Sequence, residues 1–251
     1  MIYDKINKCL ICGGDNIYSG NAASMQCMFC GESYYTNIVC EYGHFICGDC
    51  HLERALEMIT SICEKSNKRE AINIAYELLM NKWIKMHGTE HPYIVAAVLL
   101  TAYKNRGYGG KIPGKVFQAY LNEAKNRAMK IPPGSCGYWG CCGEAIGAGI
   151  FASIALKPTP MSVRERGFAN MITSKVLEEI AVYGGPRCSK RETFIAILTT
   201  SKYTEEQLGM TLTDFEGIEC IFYERNPDCQ AAKCPFHPDN NEAIPDTDQP
   251  L

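Results

Sequence analysis

Fifteen cysteines in a chain of 251 residues supply the side chains most able to do chemistry, and they are not evenly spread. Four pairs follow one another near the start: Cys9-x2-Cys12, Cys27-x2-Cys30, Cys40-x3-His44 and Cys47-x2-Cys50. A two-residue gap turns both sulfurs of a pair toward one tetrahedral ion at ~2.3 Å. Eight ligands at such spacing predict two zinc ions. The order of the pairs leaves open whether neighbouring or alternating pairs share an ion, and His51 is an alternative ligand to His44. A closed four-ligand site leaves no coordination position for chemistry, so this module points to structure or docking.

The later thiols lie in a different setting. Cys136, Cys141 and Cys142 sit among Gly134, Gly137, Gly140 and Gly143, directly before an apolar stretch with helical spacing. A helix starting near Glu144 would aim its unpaired N–H groups back at those thiols and favour thiolate. The segment Gly184-Gly185-Pro186-Arg187-Cys188-Ser189-Lys190-Arg191 repeats that design, with three cations around the sulfur. Arg187 and Lys190 are the expected anion clamp there. Near the end come Cys220, Cys229 and Cys234, the last followed by Pro235. Cys-Pro after spaced cysteines resembles the end of a bacterial ferredoxin cluster run, without its compact x2 spacing. With Cys136, Cys142 or Cys188, these three thiols would make four soft ligands for a [4Fe-4S] cluster. Cys229, Cys234 and His237 as a small zinc site is the alternative.

His87-x-x-Glu90-His91 matches the H-x-x-E-H arrangement of inverzincin proteases, which needs one continuous helix. Gly88 weakens such a helix and Pro92 disfavours α conformation at His91. A site at a helix junction is the expectation instead. Cys136, Cys142 and Cys188 would be its reacting thiols, and His87, Glu90 and His91 its proton carriers or auxiliary ligands.

Helices must position these groups. Apolar residues recur at helical spacing over 52–64, 68–86, 92–105, 116–129, 145–156 and 160–183. Asn67 is the expected N-cap of the second of these. The stretch 92–105 is apolar nearly all round, which places it at the centre of the core. Gly147 and Gly149 predict close helix packing. The fold class that follows is mainly α: a helical domain with an N-terminal zinc-ribbon/treble-clef-like module and a short Cys-rich C-terminal segment. The expected division is a two-zinc module over 1–52, a helical domain over 53–237 and a flexible acidic tail over 238–251.

Composition narrows the function classes. Hydrophobic residues make up 46% and charged residues 21%, enough to pack a core. A net charge of −3, with no Lys/Arg cluster beside Tyr34, Tyr35, Tyr42 and Phe45, does not call for nucleic acid. No apolar leader opens the chain, and the longest apolar run is too short to cross a bilayer. The expectation is a cytoplasmic protein with reduced thiols, in which paired cysteines are metal ligands or redox groups.

The half from Cys40 to Cys50, Cys-x3-His-x2-Cys-x2-Cys, resembles the second half of RING and treble-clef fingers. Several segments together resemble a cysteine-rich family of unknown function from anaerobic bacteria and archaea. They are Cys40-x3-His44-x2-Cys47-x2-Cys50-His51, His87-Gly88-x-Glu90-His91, Pro133-Gly134-x-Cys136-Gly137-x-Trp139-Gly140-x-Cys142-Gly143, Gly184-Gly185-Pro186-Arg187-Cys188 and the closing Cys234-Pro235-Phe236. The resemblance implies anaerobic, sulfur-rich chemistry: an iron–sulfur cluster or a reactive thiolate serving sulfur, methyl or redox transfer. It also implies a partner enzyme of the SAM-dependent methyltransferase or radical-SAM class. Pro92 and Ser189 stand where the family pattern carries a further His and a second Cys. A non-enzymatic zinc adaptor that docks a partner enzyme is the competing reading.

Overall fold

The structure, a computed structural model, describes residues 8–214 and 217–240. A hairpin of β1 (Asn16–Gln26) and β2 (Ser33–Cys40) leads into eight helices among the described residues. These are α1 (Gly48–Lys65), α2 (Ala71–Leu79), α3 (His91–Arg106), α4 (Gly114–Ala128), α5 (Ser135–Trp139), α6 (Gly143–Leu156), α7 (Arg164–Tyr183) and α8 (Ser189–Leu208). Two short 3-10 turns, Tyr223–Arg225 and Ala231–Lys233, punctuate the segment after α8. The protein is mainly α-helical, with its cysteine-bearing module at the N-terminus. No helix among the described residues is long and apolar enough to cross a membrane.

The hairpin is antiparallel, from Asn16 opposite Cys40 to Gln26 opposite Ser33, with an irregularity between Tyr18 and Ala23. Sequence patterning does not announce it, because most of its side chains are exposed and neither face carries an apolar row.

Helix α3 is the core. Every residue from His91 to Tyr103 is buried, as expected of a helix apolar on all sides. Pro92 pre-sets its first turn, and Gly107, with φ 82°, stops it in a left-handed C-cap. Helices α1, α2, α4, α6 and α8 all pack on it. Helix α6 comes closest because of its glycines. A Cβ on Gly147 would overlap the Pro92 carbonyl oxygen, and one on Gly143 would lie 2.8 Å from Pro92 Cγ. On another side of α6, Gly149 faces Thr173 and Ala169 of α7.

Two helices are shorter than their apolar spacing predicts. Helix α2 ends at Leu79, and the next residues form a turn in which Ile84 N–H donates to the Asn81 carbonyl and Trp83 N–H to Asn81 Oδ1. Glu70, not Asn67, takes its N-cap position, and it spends its carboxylate elsewhere. It accepts from Arg106, from Thr213 Oγ1 at 3.1 Å and from Asp214 N at 2.7 Å, joining the start of α2 to the end of α3 and to the strand of chain after α8. Helix α7 starts at Arg164 because residues 159–162 close a turn of their own, Thr159 N–H donating to Ser162 Oγ at 2.8 Å.

The N-terminal module rests on the body through Trp83, whose ring meets Phe29 edge-on at 6.1 Å and His51 at 5.6 Å. Lys82 Nζ adds a bond to the Leu10 carbonyl at 2.8 Å. The acidic tail expected from residue 238 lies, from 241 onward, outside the described residues. Asn240 is pinned: its Nδ2 donates to the carbonyls of Ala232 and Cys234 at 2.9 Å.

Gly147→Ala should lower unfolding stability by about 1–3 kcal/mol, the usual cost of overpacking, despite alanine's better helix propensity. Gly167→Ala, in α7 with nothing near its Cβ position, should be neutral or stabilising by up to ~1 kcal/mol. Denaturant melts of the two variants beside the parent chain test the pair.

Candidate metal centre and thiol cavity

The four N-terminal pairs assemble in alternation. Cys9 and Cys12 join Cys40 and His44; Cys27 and Cys30 join Cys47 and Cys50, and in each quartet all ligand atoms lie within 4.8 Å of one another. The hairpin makes this so, since pairing β1 with β2 carries the third pair back beside the first. A tetrahedral ion with Zn–S of ~2.3 Å holds its ligands about 3.8 Å apart. Here Cys12 Sγ–Cys40 Sγ is 3.5 Å, Cys9 Sγ–His44 Nδ1 3.7 Å and Cys30 Sγ–Cys47 Sγ 3.9 Å. Both quartets could hold a metal ion.

Backbone N–H groups already serve these sulfurs. Ile11 and Gly14 donate to Cys9 and Cys12, Tyr42 to Cys40, Cys47 to Cys27, and Cys50 to Cys47, all at 3.3–3.4 Å. At Cys27 burial raises the thiol, but the N–H groups of Cys47, Cys30 and Phe29 outweigh it and bring the group down to about 6. Cys47 is also the N-cap of α1, so the second quartet sits on that helix's positive end. His51 packs at a tilt against Trp83 instead of joining the first quartet.

The second centre is a small, partly open cavity at the start of α8. Cys188, Cys220, Cys229 and Cys234 all line it, with Phe194, Phe222 and Phe236 as its apolar wall. Of the sequence alternatives for a fourth thiol beside 220, 229 and 234, the cavity takes Cys188. Cys188 is the N-cap of α8, its sulfur accepting from Arg191 N–H. Burial raises the Cys188 and Cys234 thiols against the nearby Arg191 charge, and pushes Cys220 up to about 11. As free thiols they are poor nucleophiles at neutral pH; as metal ligands they would be deprotonated outright.

Two buried donors on this cavity have no partner, Arg191 Nε and Asn226 Nδ2. Leaving such a group unpaired costs about 1–3 kcal/mol. Both residues line the cavity, and unpaired N–H groups of this kind suit a cluster of thiolates and sulfides, whose sulfurs accept hydrogen bonds, better than a bare apolar hole. His237 lines the same cavity, but its Nδ1 accepts from Asp239 N at 3.1 Å, and it forms no single-ion group with Cys229 and Cys234.

The other expected residues divide. Lys190 does not clamp an anion beside Cys188. One position along the helix turns it inward, where Nζ donates to the Lys85 carbonyl at 2.9 Å, faces His91 Nε2 at 3.3 Å and lies over the Phe222 ring. Arg187 is exposed, and it is Arg191 that reaches the cavity. His91 Nδ1 is 3.0 Å from the Gly88 carbonyl, which fixes the neutral tautomer with Nε2 as acceptor. Burial pulls Lys190 down to about 7, with Glu90 opposing, and holds His91 well below the usual histidine range. Glu90 is buried, accepting from Lys85 N at 3.0 Å. His87 turns the other way, with Nε2 at 3.2 Å from Asn226 Oδ1. The three residues therefore do not form one metal site; they link the starts of α3 and α8 to the cavity wall.

Cys142 is buried outside the cavity lining. Its Sγ lies 2.9 Å from Glu144 Oε2 and 3.6 Å from Glu192 Oε2, while Glu192 Oε1 accepts from Cys188 N at 3.2 Å. Cys136 is exposed, its thiol next to that of Cys142. Glu144 and Glu192 are the residues sequence reading passed over. Their signal was present, a carboxylate in the first turn just after a thiol, but that is also the ordinary complement to a helix dipole.

Residues 59–237 match a family described only as a family of unknown function, DUF5714. No curated protein and no solved structure matches the chain.

Titrated with Zn2+ under reducing conditions, the His44→Ala variant of the full chain should take up one tight equivalent fewer than the parent. His51→Ala should match the parent. Loss of an equivalent in His51→Ala instead would reverse the ligand assignment.

Proposed function

We propose that this chain, which belongs to the DUF5714 family and thus to a family of unknown function, is an iron–sulfur protein with a structural two-zinc module at its front. Cys188, Cys220, Cys229 and Cys234 would hold a [4Fe-4S] cluster, and Cys9, Cys12, Cys40, His44 and Cys27, Cys30, Cys47, Cys50 would hold the two zinc ions. One observation carries the reading: four thiols, Cys188 at the start of α8 and three from the segment after it, line a single apolar cavity whose lining also includes Arg191 and Asn226, each with an unpartnered buried N–H. Among the described residues, no three of these four ligands come within the 4.8 Å that marks the N-terminal quartets. Wider spacing suits a polynuclear cluster over one tetrahedral ion.

When bound, such a cluster supplies one-electron redox chemistry. The chain's own residues would set its environment. Phe194, Phe222 and Phe236 would keep water away, Arg191 and Asn226 would donate to sulfur, and the N-terminus of α8 would favour the thiolate of Cys188. In that role the protein would serve redox or sulfur or methyl transfer in the anaerobic cytoplasm, alongside a SAM-dependent or radical-SAM enzyme.

Protein purified without oxygen should be brown and absorb near ~400 nm through its thiolate–iron bonds. Cys220→Ala and Cys229→Ala should each strip the iron and the colour while leaving two zinc ions per chain. Colourless parent protein without iron, whose cysteine variants keep the same metal content, would overturn the cluster and leave the zinc adaptor standing.

A further inference from the structure

Cys142, Glu144 and Glu192 form a compact group that the thiol cavity does not use. Their ligand atoms lie within 4.8 Å of one another, and all three residues are at least 95% buried. Two helix starts deliver them: Cys142 and Glu144 flank the first residue of α6, and Glu192 lies in the first turn of α8. Cys136, from α5, adds a second thiol on the solvent side, next to the Cys142 sulfur.

The charges do not balance among themselves. A buried carboxylate is stable when it pairs with a cation, shares a proton or coordinates a metal. Arg191 stands 3.5 Å from Glu192 Oε1, but its guanidinium is shared with Gln230 and with the carbonyls of Gly184 and Pro186. Glu144 makes no ion pair among the described residues. So two carboxylates and a buried thiol face one another with one committed guanidinium at their edge. Thiolate sulfur mixed with carboxylate oxygen suits Zn2+ or Fe2+, and is too soft a set for Mg2+ or Ca2+.

We propose that Cys142, Glu144 and Glu192 bind one divalent transition-metal ion of the Zn2+/Fe2+ class, with Cys136 as the exchangeable fourth ligand. Three deeply held protein ligands and one accessible position is the layout of reactive ions, not of structural ones. Cys136 is exposed, as are Tyr138 and Trp139 in the same short helix α5. Glu192 joins this ion to the thiol cavity, since its other oxygen holds the backbone of Cys188. The site does not depend on which metal fills that cavity.

The experiment uses the full chain prepared without oxygen, cleared of weakly held metal and titrated with Co2+. The parent should take up one equivalent beyond its tightly held metals and show a sulfur-to-cobalt absorption band. Glu144→Gln, which keeps the shape of the side chain, should weaken that equivalent by at least ~100-fold, beyond what loss of an outer partner costs. Cys142→Ser should cut the sulfur band to what Cys136 alone contributes, the Cys142→Ser, Cys136→Ser double variant should abolish it, and Cys136→Ser alone should weaken binding less than Glu144→Gln. Equal uptake by the parent, Glu144→Gln and Cys142→Ser would overturn the proposal and leave a proton shared between the two carboxylates. Iron content and absorption near ~400 nm, read on the same samples, report the cavity separately.

Discussion

The close seating of α6 against the first turn of α3 is the constraint on which the rest depends. Gly147 has no side chain, so the backbone of α6 can lie against the Pro92 carbonyl. That contact fixes where α6 begins, and so where Cys142 and Glu144 stand relative to His91. The N-terminus of α8 enters the same space through Ser189, Lys190 and Glu192. Three helix starts thus meet inside the protein, at a place where ordinary packing would have put aliphatic side chains.

Helix starts present unpaired N–H groups, so a junction of three of them favours negative charge. The protein fills it with anions and with groups that become anionic: Glu90, Glu144, Glu192 and the thiols of Cys142 and Cys188. Lys190 compensates from within, held by a carbonyl and a neutral imidazole. Polar groups buried this deeply are costly unless each has a partner. Most do, and among the described residues that hold a polar atom without one, Arg191 and Asn226 belong to the lining of the thiol cavity. Stability and chemistry therefore draw on the same set of side chains.

Much of this was legible in the chain. The x2 and x3 gaps pointed to the N-terminal groups that could hold metal, the apolar run after Pro92 to the central helix, and Gly147 and Gly149 to close packing. What escaped reading depended on direction in three dimensions. Alternation of the ligand pairs rests on a hairpin whose polar, exposed strands carry no apolar row to betray it. Lys190 and Arg191 are neighbours in sequence, yet about 100° apart around α8, so one enters the core and the other the cavity. Glu144 and Glu192 stand 48 positions apart in sequence, and only the fold sets both beside Cys142. Asn226 sits in a segment without periodicity, where nothing local marks it.

The interleaving of the two quartets has a consequence for how the protein is made. A chain leaving the ribosome holds only half of the first quartet until Cys40 emerges, and its second is finished only by Cys50. Neither lobe can be metallated early and set aside while the other waits. If metal fills the quartets, the module can close only after Cys40 to Cys50 has emerged, and Cys47, a member of the second quartet, is also the N-cap of α1. Metal in one quartet would thus tether the chain segments that the other quartet needs, while each keeps its own four ligands.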